Sequence, residues 1–199
     1  EWECIVLEDL SYKERAEYFE SYNKDRRNLS YVDKFRARLE YQEIEATAIK
    51  RIANDNHVLL SDIDVGKPRT MRFGVCMAIS SLEKVYTTGT LAVSLDILYN
   101  AYVNSPKSYS AWAYGSYSLR HLDSFIRTYE HEYDKLRLIG VIRQIDSYFL
   151  NSESNINQDK SIKAKIVPMK IVELYNKHLG EAKKLDMSKL LVARLRTKG

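Results

Sequence analysis

Cysteine, proline and glycine are scarce in this chain of 199 residues, at two, three and seven. Two cysteines cannot form a multi-bridge disulfide scaffold. Cys4 and Cys76 each sit among apolar neighbours, the usual setting of buried free thiols in a reducing, cytoplasmic compartment. Few chain breakers exclude a loop-rich or collagen-like design and leave long helices with short joints. No apolar run approaches the ~18 residues that span a bilayer, so no membrane partner is expected. The opening residues, EWEC, are acidic where a secretory signal is basic. The P-loop, dinucleotide-binding, zincin and nucleophile-elbow signatures are all missing. The four histidines, His57, His121, His131 and His178, show no ligand spacing. No metal site, resident cofactor or catalytic residue is therefore assigned.

What is present is ordinary in amount and uneven in placement. Apolar residues make up 45% and charged residues 29%, enough for a packed core without metal or disulfides. The net charge of +4 is too small to argue for nucleic acid by itself. From Lys160 to Gly199, however, eleven basic residues face three acidic ones, a net of +8, which leaves −4 for the first 159. That tail is a candidate polyanion surface, with Lys163, Lys165, Lys183, Lys184, Lys189, Arg194 and Arg196 as its contacts. A solvated helix face is the alternative reading.

The patterning predicts a mainly α fold, a multi-helix bundle that follows one strand. Cys4-Ile5-Val6-Leu7 reads as that strand. With nothing before it to pair with, the expectation is that Glu1 is a cut or processing point or that an upstream portion is absent from this chain. Ser11 and Glu14 form a capping box for a helix carrying Ala16 and Phe19 and running out near Asn23. Ser30 and Asp33 open a second, with Val32, Phe35 and Leu39 at helical spacing. Residues 43 to 54 repeat the spacing through Ile44, Ala48, Ile49, Ile52 and Ala53. His57 to Leu60 reads as a short strand, and the segment from Ser61 to Thr70 as a turn. Residues 71 to 86 mix strand and helix character. Leu91, Leu95, Leu98 and Tyr102 line a helix over 91–103. An aromatic loop follows over 104–117, where core-rim packing competes with base stacking. Leu119, Leu122, Phe125, Ile126 and Tyr129 mark one further helix; Leu136, Ile139, Ile142 and Ile145 mark another. Residues 151–161 are polar and linker-like. The last helices, about 162–178 and 186–196, carry the basic excess, with Pro168 forcing a kink or a later start.

The stretch from Asn23 to Asn28 reads as a polar turn between two helices. Asn23, Arg26 and Arg27 there are candidate phosphate ligands at a helix N-terminus. A solvated turn, with an arginine paired to Asp25 or Asp33, explains the same residues.

The words also match a family. The pattern Asn23, Arg26, Leu29, Ser30, Asp33 resembles the motif that closes the nuclease-like domain of ParB partition proteins. The preceding WECIVLEDLSYKERAEYF resembles the segment that follows the family's G-x-H-R box. The layout as a whole is similar to ParB/sulfiredoxin-like proteins of phages and other mobile elements, whose longer helical continuation resembles residues 71 to 150. The resemblance implies that 1–29 closes a ParB-like α+β domain. The further divisions expected are a helical body over 30–150, a linker over 151–161 and basic helices over 162–199. It implies that Asn23 and Arg26 help hold the triphosphate of CTP, or of another nucleotide with magnesium, when an upstream half is present. Two departures matter: Tyr22 stands where the family has an acid, and the G-x-H-R box is absent from this chain. ParB proteins follow the motif with a helix-turn-helix, for which the link between Leu39 and Glu43 is the only candidate.

Three functions remain open. One is a nucleic-acid-associated ParB-like protein of a phage or plasmid. The second is a protein-interaction or assembly module, a phage accessory factor acting on a host protein, homo-oligomeric through helices 119–129 and 136–148. The third is a nuclease built on Asp62 and Asp64; activity of that kind needs clustered carboxylates and a metal, so this chain is expected not to be an enzyme on its own.

Overall fold

Ser11 and Ser30 each open a helix by the same local chemistry. The Glu14 carboxylate accepts hydrogen bonds from Ser11 N (2.8 Å) and Ser11 Oγ (2.6 Å). Its carboxyl is held below the usual range, first by the Ser11 hydroxyl and then by the Ser11 amide. Asp33 N donates to Ser30 Oγ at 3.1 Å, and Ser30 Oγ donates to Asp33 Oδ2 at 2.6 Å. Each cap of this kind stabilises its helix by ~1 kcal/mol. The helices they start are α1 (Tyr12–Arg26) and α2 (Tyr31–Glu40).

The structure is a computed structural model, and it describes residues 10–26, 30–67, 70–152 and 166–192. The expected strand at Cys4–Leu7 lies outside them. The described residues are mainly helical, as the patterning predicts. After α2 come α3 (Ile44–Asp55), a two-residue parallel pair of β1 (Leu59–Leu60) with β2 (Val75–Cys76), α4 (Ile79–Thr87), α5 (Leu91–Tyr102) and a one-turn α6 (Lys107–Ser110). Then follow α7 (Ser116–Thr128), α8 (Lys135–Arg143), a one-turn α9 (Ser147–Leu150), α10 (Ile166–Asn176), a 3-10 turn at Glu181–Lys183 and α11 (Ser188–Val192). Leu59 aligns with Val75 and Leu60 with Cys76. Residues 71–86 thus resolve into a strand and then a helix.

Two compact units divide the chain, Glu1–Arg51 and Ile52–Gly199. The division falls within α3. In the first unit, α1 and α2 pack on one another, and Phe35 is buried.

In the second unit α7 is central and touches α4, α5, α9, α10 and α11. Its Leu119, Leu122 and Phe125 are wholly buried. Phe125 packs at 5.1 Å from Tyr129 and at 6.3 Å from Tyr175 of α10 (ring centroids). The described part of 162–199 therefore belongs to this unit, because Val167, Ile171 and Val172 need apolar cover and are buried. Tyr129 Oη ties the same region down by donating to Asp186 O at 2.8 Å. Pro168 sits in the first turn of α10, where its missing N–H costs no helical bond.

Two expected core residues are outside. Leu136 is 78% exposed and Ile44 is 87% exposed. Both stand in the first turn of their helix. In α8 the packed face is set instead by Leu138, Ile139, Val141 and Ile142.

Candidate nucleic-acid interface

The junction after α1 differs from a polar turn over 23–28. α1 continues through Arg26, so Asn23 and Arg26 lie one turn apart near its C-terminal end. The run Lys24-Asp25-Arg26 contains no Gly or Pro to stop the helix. Their side chains, and Arg27 altogether, lie outside the described residues. The described residues at this junction do not test the phosphate reading. The end of a helix presents carbonyl groups and a partial negative charge. The start of α2 already holds a carboxylate, Asp33, which accepts from the N-cap Ser30 Oγ and lies 3.3 Å from Arg36 Nη1.

The joint between α2 and α3 has a clearer geometry. It is three residues long, Tyr41-Gln42-Glu43, with Gln42 in the left-handed region at φ 58°. Glu43 Oε2 caps α3 by accepting from Ala46 N at 2.8 Å. The same oxygen accepts from Arg38 Nη2 (3.0 Å) and Nε (3.2 Å), so the charge at the start of α3 is neutralised. Tyr41 Oη donates to Glu20 Oε2 at 3.1 Å. Partial burial, and next the Glu20 carboxylate, push the Tyr41 hydroxyl up to about 12. Along α3, Ala46, Ile49 and Ala53 are buried while Thr47 and Arg51 are exposed and Lys50 is half-buried. Residues 44, 47 and 51 follow helical spacing, so one outward stripe carries an isoleucine, a threonine and an arginine.

The expected basic surface is only partly brought together. Lys163, Lys165, Arg194 and Arg196 lie outside the described residues. Lys183 is exposed in the 3-10 turn. Lys184 pairs with Glu181, and Lys189 Nζ is 2.5 Å from Glu132 Oε1. The last contact bridges α11 to the loop after α7, a structural use of that cation.

Asp62 and Asp64 are turn residues. Asp64 Oδ2 accepts from Leu60 N at 2.7 Å, and Asp62 has φ 61°. Among the described residues no group of three His, Cys, Asp or Glu side chains is placed to hold a metal ion. In the aromatic loop Tyr114 is buried and Tyr109, Trp112 and Tyr117 are half-buried; beside it Tyr102 of α5 is buried, and its Oη donates to Ile145 O at 2.7 Å. Trp112 meets Tyr148 edge-on at 5.9 Å (ring centroids). Of the segments expected as a dimer face, Leu119, Leu122, Phe125, Ile139, Ile142 and Ile145 are buried within their own unit, while Leu136 and Tyr148 are exposed. Among the described residues no helix is long and apolar enough to cross a membrane.

Sequence reasoning missed the α3 stripe. Thr47 and Arg51 carry no motif, and only the pairing of a three-residue joint with a polar outward face singles them out. No family model matches the chain, and no curated protein or solved structure matches it either.

Proposed function

We propose that this chain is a nucleic-acid-associated protein of the ParB-like kind found in phages and plasmids, and that it docks on duplex DNA through α3. The observation that carries the reading is the α2–α3 joint: two helices, a three-residue turn with a left-handed residue, and an outward stripe of Thr47 and Arg51. Helix-turn-helix readers use this connection length to set a second helix in the major groove. An α-helix with its side chains is about as wide as that groove. Arginine donates in pairs to guanine O6 and N7, and threonine offers a hydroxyl and a methyl. Apart from α3, the expected C-terminal cations, Lys183 among them, are proposed as separate phosphate contacts, which position without reading sequence. A nucleotide with magnesium belongs to this reading only in a longer chain carrying the G-x-H-R box, and no catalytic step is assigned.

The test is fluorescence anisotropy of a labelled duplex with the full chain. Affinity falls steeply as salt rises, because counterions released from the phosphates drive binding. Absence of binding at low salt overturns the reading.

A further inference from the structure

α3 opens on the most exposed large apolar side chain among the described residues: Ile44 is 87% exposed. Single exposed apolar residues are ordinary, so the surroundings decide what this one means. Ile44 shares the outward stripe with Thr47 and Arg51, at i, i+3 and i+7. Gln42, the left-handed residue of the joint, is exposed just before the helix. Among the described residues the Gln42, Thr47 and Arg51 side chains have no hydrogen-bond or ion-pair partner. The charges around them are committed. Glu43 and Glu45 lie 3.0 and 3.8 Å from Arg38 Nη2, so Arg38 rather than Arg51 holds the two carboxylates at the start of α3.

Leu136 makes the contrast. It too is exposed in the first turn of its helix, α8. Arg143, at i+7 from it, donates to Asn100 O at 3.0 Å and so serves the fold. At α3 the arginine in the same relation is left for an outside partner.

That combination selects a kind of partner. An exposed aliphatic group gains by apolar cover, while the free Thr47 and Arg51 call for polar groups. The major groove offers both within reach of one helix: donor and acceptor edges, and the thymine C5-methyl as an apolar group. In helix-turn-helix readers the first residues of the second helix reach the base edges, and Ile44 stands there. Isoleucine keeps one χ1 rotamer in a helix, so little side-chain freedom is lost on contact. Arg51 follows Ile44 by seven positions, about 10 Å along the axis and so about three base steps.

We infer that Ile44 is a specificity-determining residue that packs on the C5-methyl of a thymine, about three base pairs from the base that Arg51 contacts. The inference rests on the docking of α3 proposed above and adds a base preference to it.

The test starts from a random pool of duplexes enriched on the full chain at low salt. Each thymine of the enriched duplex is then replaced singly by uracil, which keeps the base pair and loses only the methyl. Binding is read by fluorescence anisotropy for the wild type and for Ile44→Ala, which removes no buried side chain and keeps the wild-type melting temperature. One uracil position is expected to weaken the wild type about fourfold, the effect of one buried methyl group, and to leave Ile44→Ala unchanged. A methyl effect that Ile44→Ala retains in full overturns the inference. So does an enriched duplex without a methyl-sensitive thymine, or binding that enriches no sequence; in each of these cases the docking of α3 still stands. A wild type that binds no duplex overturns the docking and this inference together.

Discussion

The Asn151 carboxamide oxygen stands 2.1 Å from where a β-carbon on Gly115 would be. From there Asn151 Oδ1 accepts from Tyr117 N at 3.0 Å and Ser118 N at 3.3 Å, closing the start of α7 with a side chain more than thirty residues away. Gly115 matters for space, not for backbone freedom, since its φ is −73°. Gly115→Ala expels the cap and costs ~1–3 kcal/mol by overpacking, read as a lower midpoint in chemical denaturation. Asn151→Asp keeps the acceptor and adds a charge favoured at a helix N-terminus, so it is expected to match or exceed wild-type stability.

Asp123 is buried and holds together the turn before α5. Its Oδ1 accepts from Thr88 Oγ1 (2.7 Å) and Thr90 Oγ1 (2.8 Å), and Arg127 Nε lies 3.2 Å away. Asp123→Ala takes the carboxylate from Thr90 Oγ1, while Thr88 Oγ1 keeps Val85 O as acceptor at 2.8 Å, and is expected to cost ~1–3 kcal/mol. Thr88→Val and Thr90→Val each remove one donor and cost less. A double-mutant cycle between position 123 and position 90, followed by thermal denaturation, checks that their effects are coupled.

Burial raises the carboxyl pKa of Glu83 above the usual range. A group whose folded pKa is raised gives its stabilising contribution below the unfolded pKa and loses it as pH rises through the folded one. Ionised Glu83 therefore weakens the fold at neutral pH relative to acid. Glu83→Gln is expected to raise the melting temperature at neutral pH, with the gain shrinking as pH is lowered. A gain that is constant with pH contradicts this.

Burial pushes the Cys76 thiol up to about 12, and the group is fully enclosed. In a Cys4→Ser background, Cys76 is expected to react with an alkylating reagent only under denaturing conditions, by mass spectrometry. Prompt reaction in the native state contradicts the placement.

Local signals were the legible ones. The Ser11–Glu14 and Ser30–Asp33 caps each need only three residues of spacing, and both form. The spacing of Leu91, Leu95 and Leu98, or of Leu119, Leu122 and Phe125, identifies a buried helix face without knowledge of its partner. What failed depended on phase or on distance. Leu136 and Leu138 are equally apolar, and only the packing of α8 chooses between them. Arg26 remains helical because nothing stops α1, a fact that the polar composition of its last turn conceals. The Asn151 cap and the Asp123 ties to Thr88 and Thr90 join residues more than thirty apart, where periodicity carries no information. Of the candidate site, the Leu39–Glu43 link was legible as a joint. Thr47 and Arg51 were not, since exposed polar residues of a helix all look alike in sequence.

The most direct measurement is the binding of the full chain to a labelled duplex, wild type against Arg51→Ala, over a series of salt concentrations. The account expects salt-sensitive binding by the wild type and a loss of ~1–3 kcal/mol for Arg51→Ala at unchanged melting temperature. Equal binding by the two proteins, or wild-type binding indifferent to salt, contradicts it.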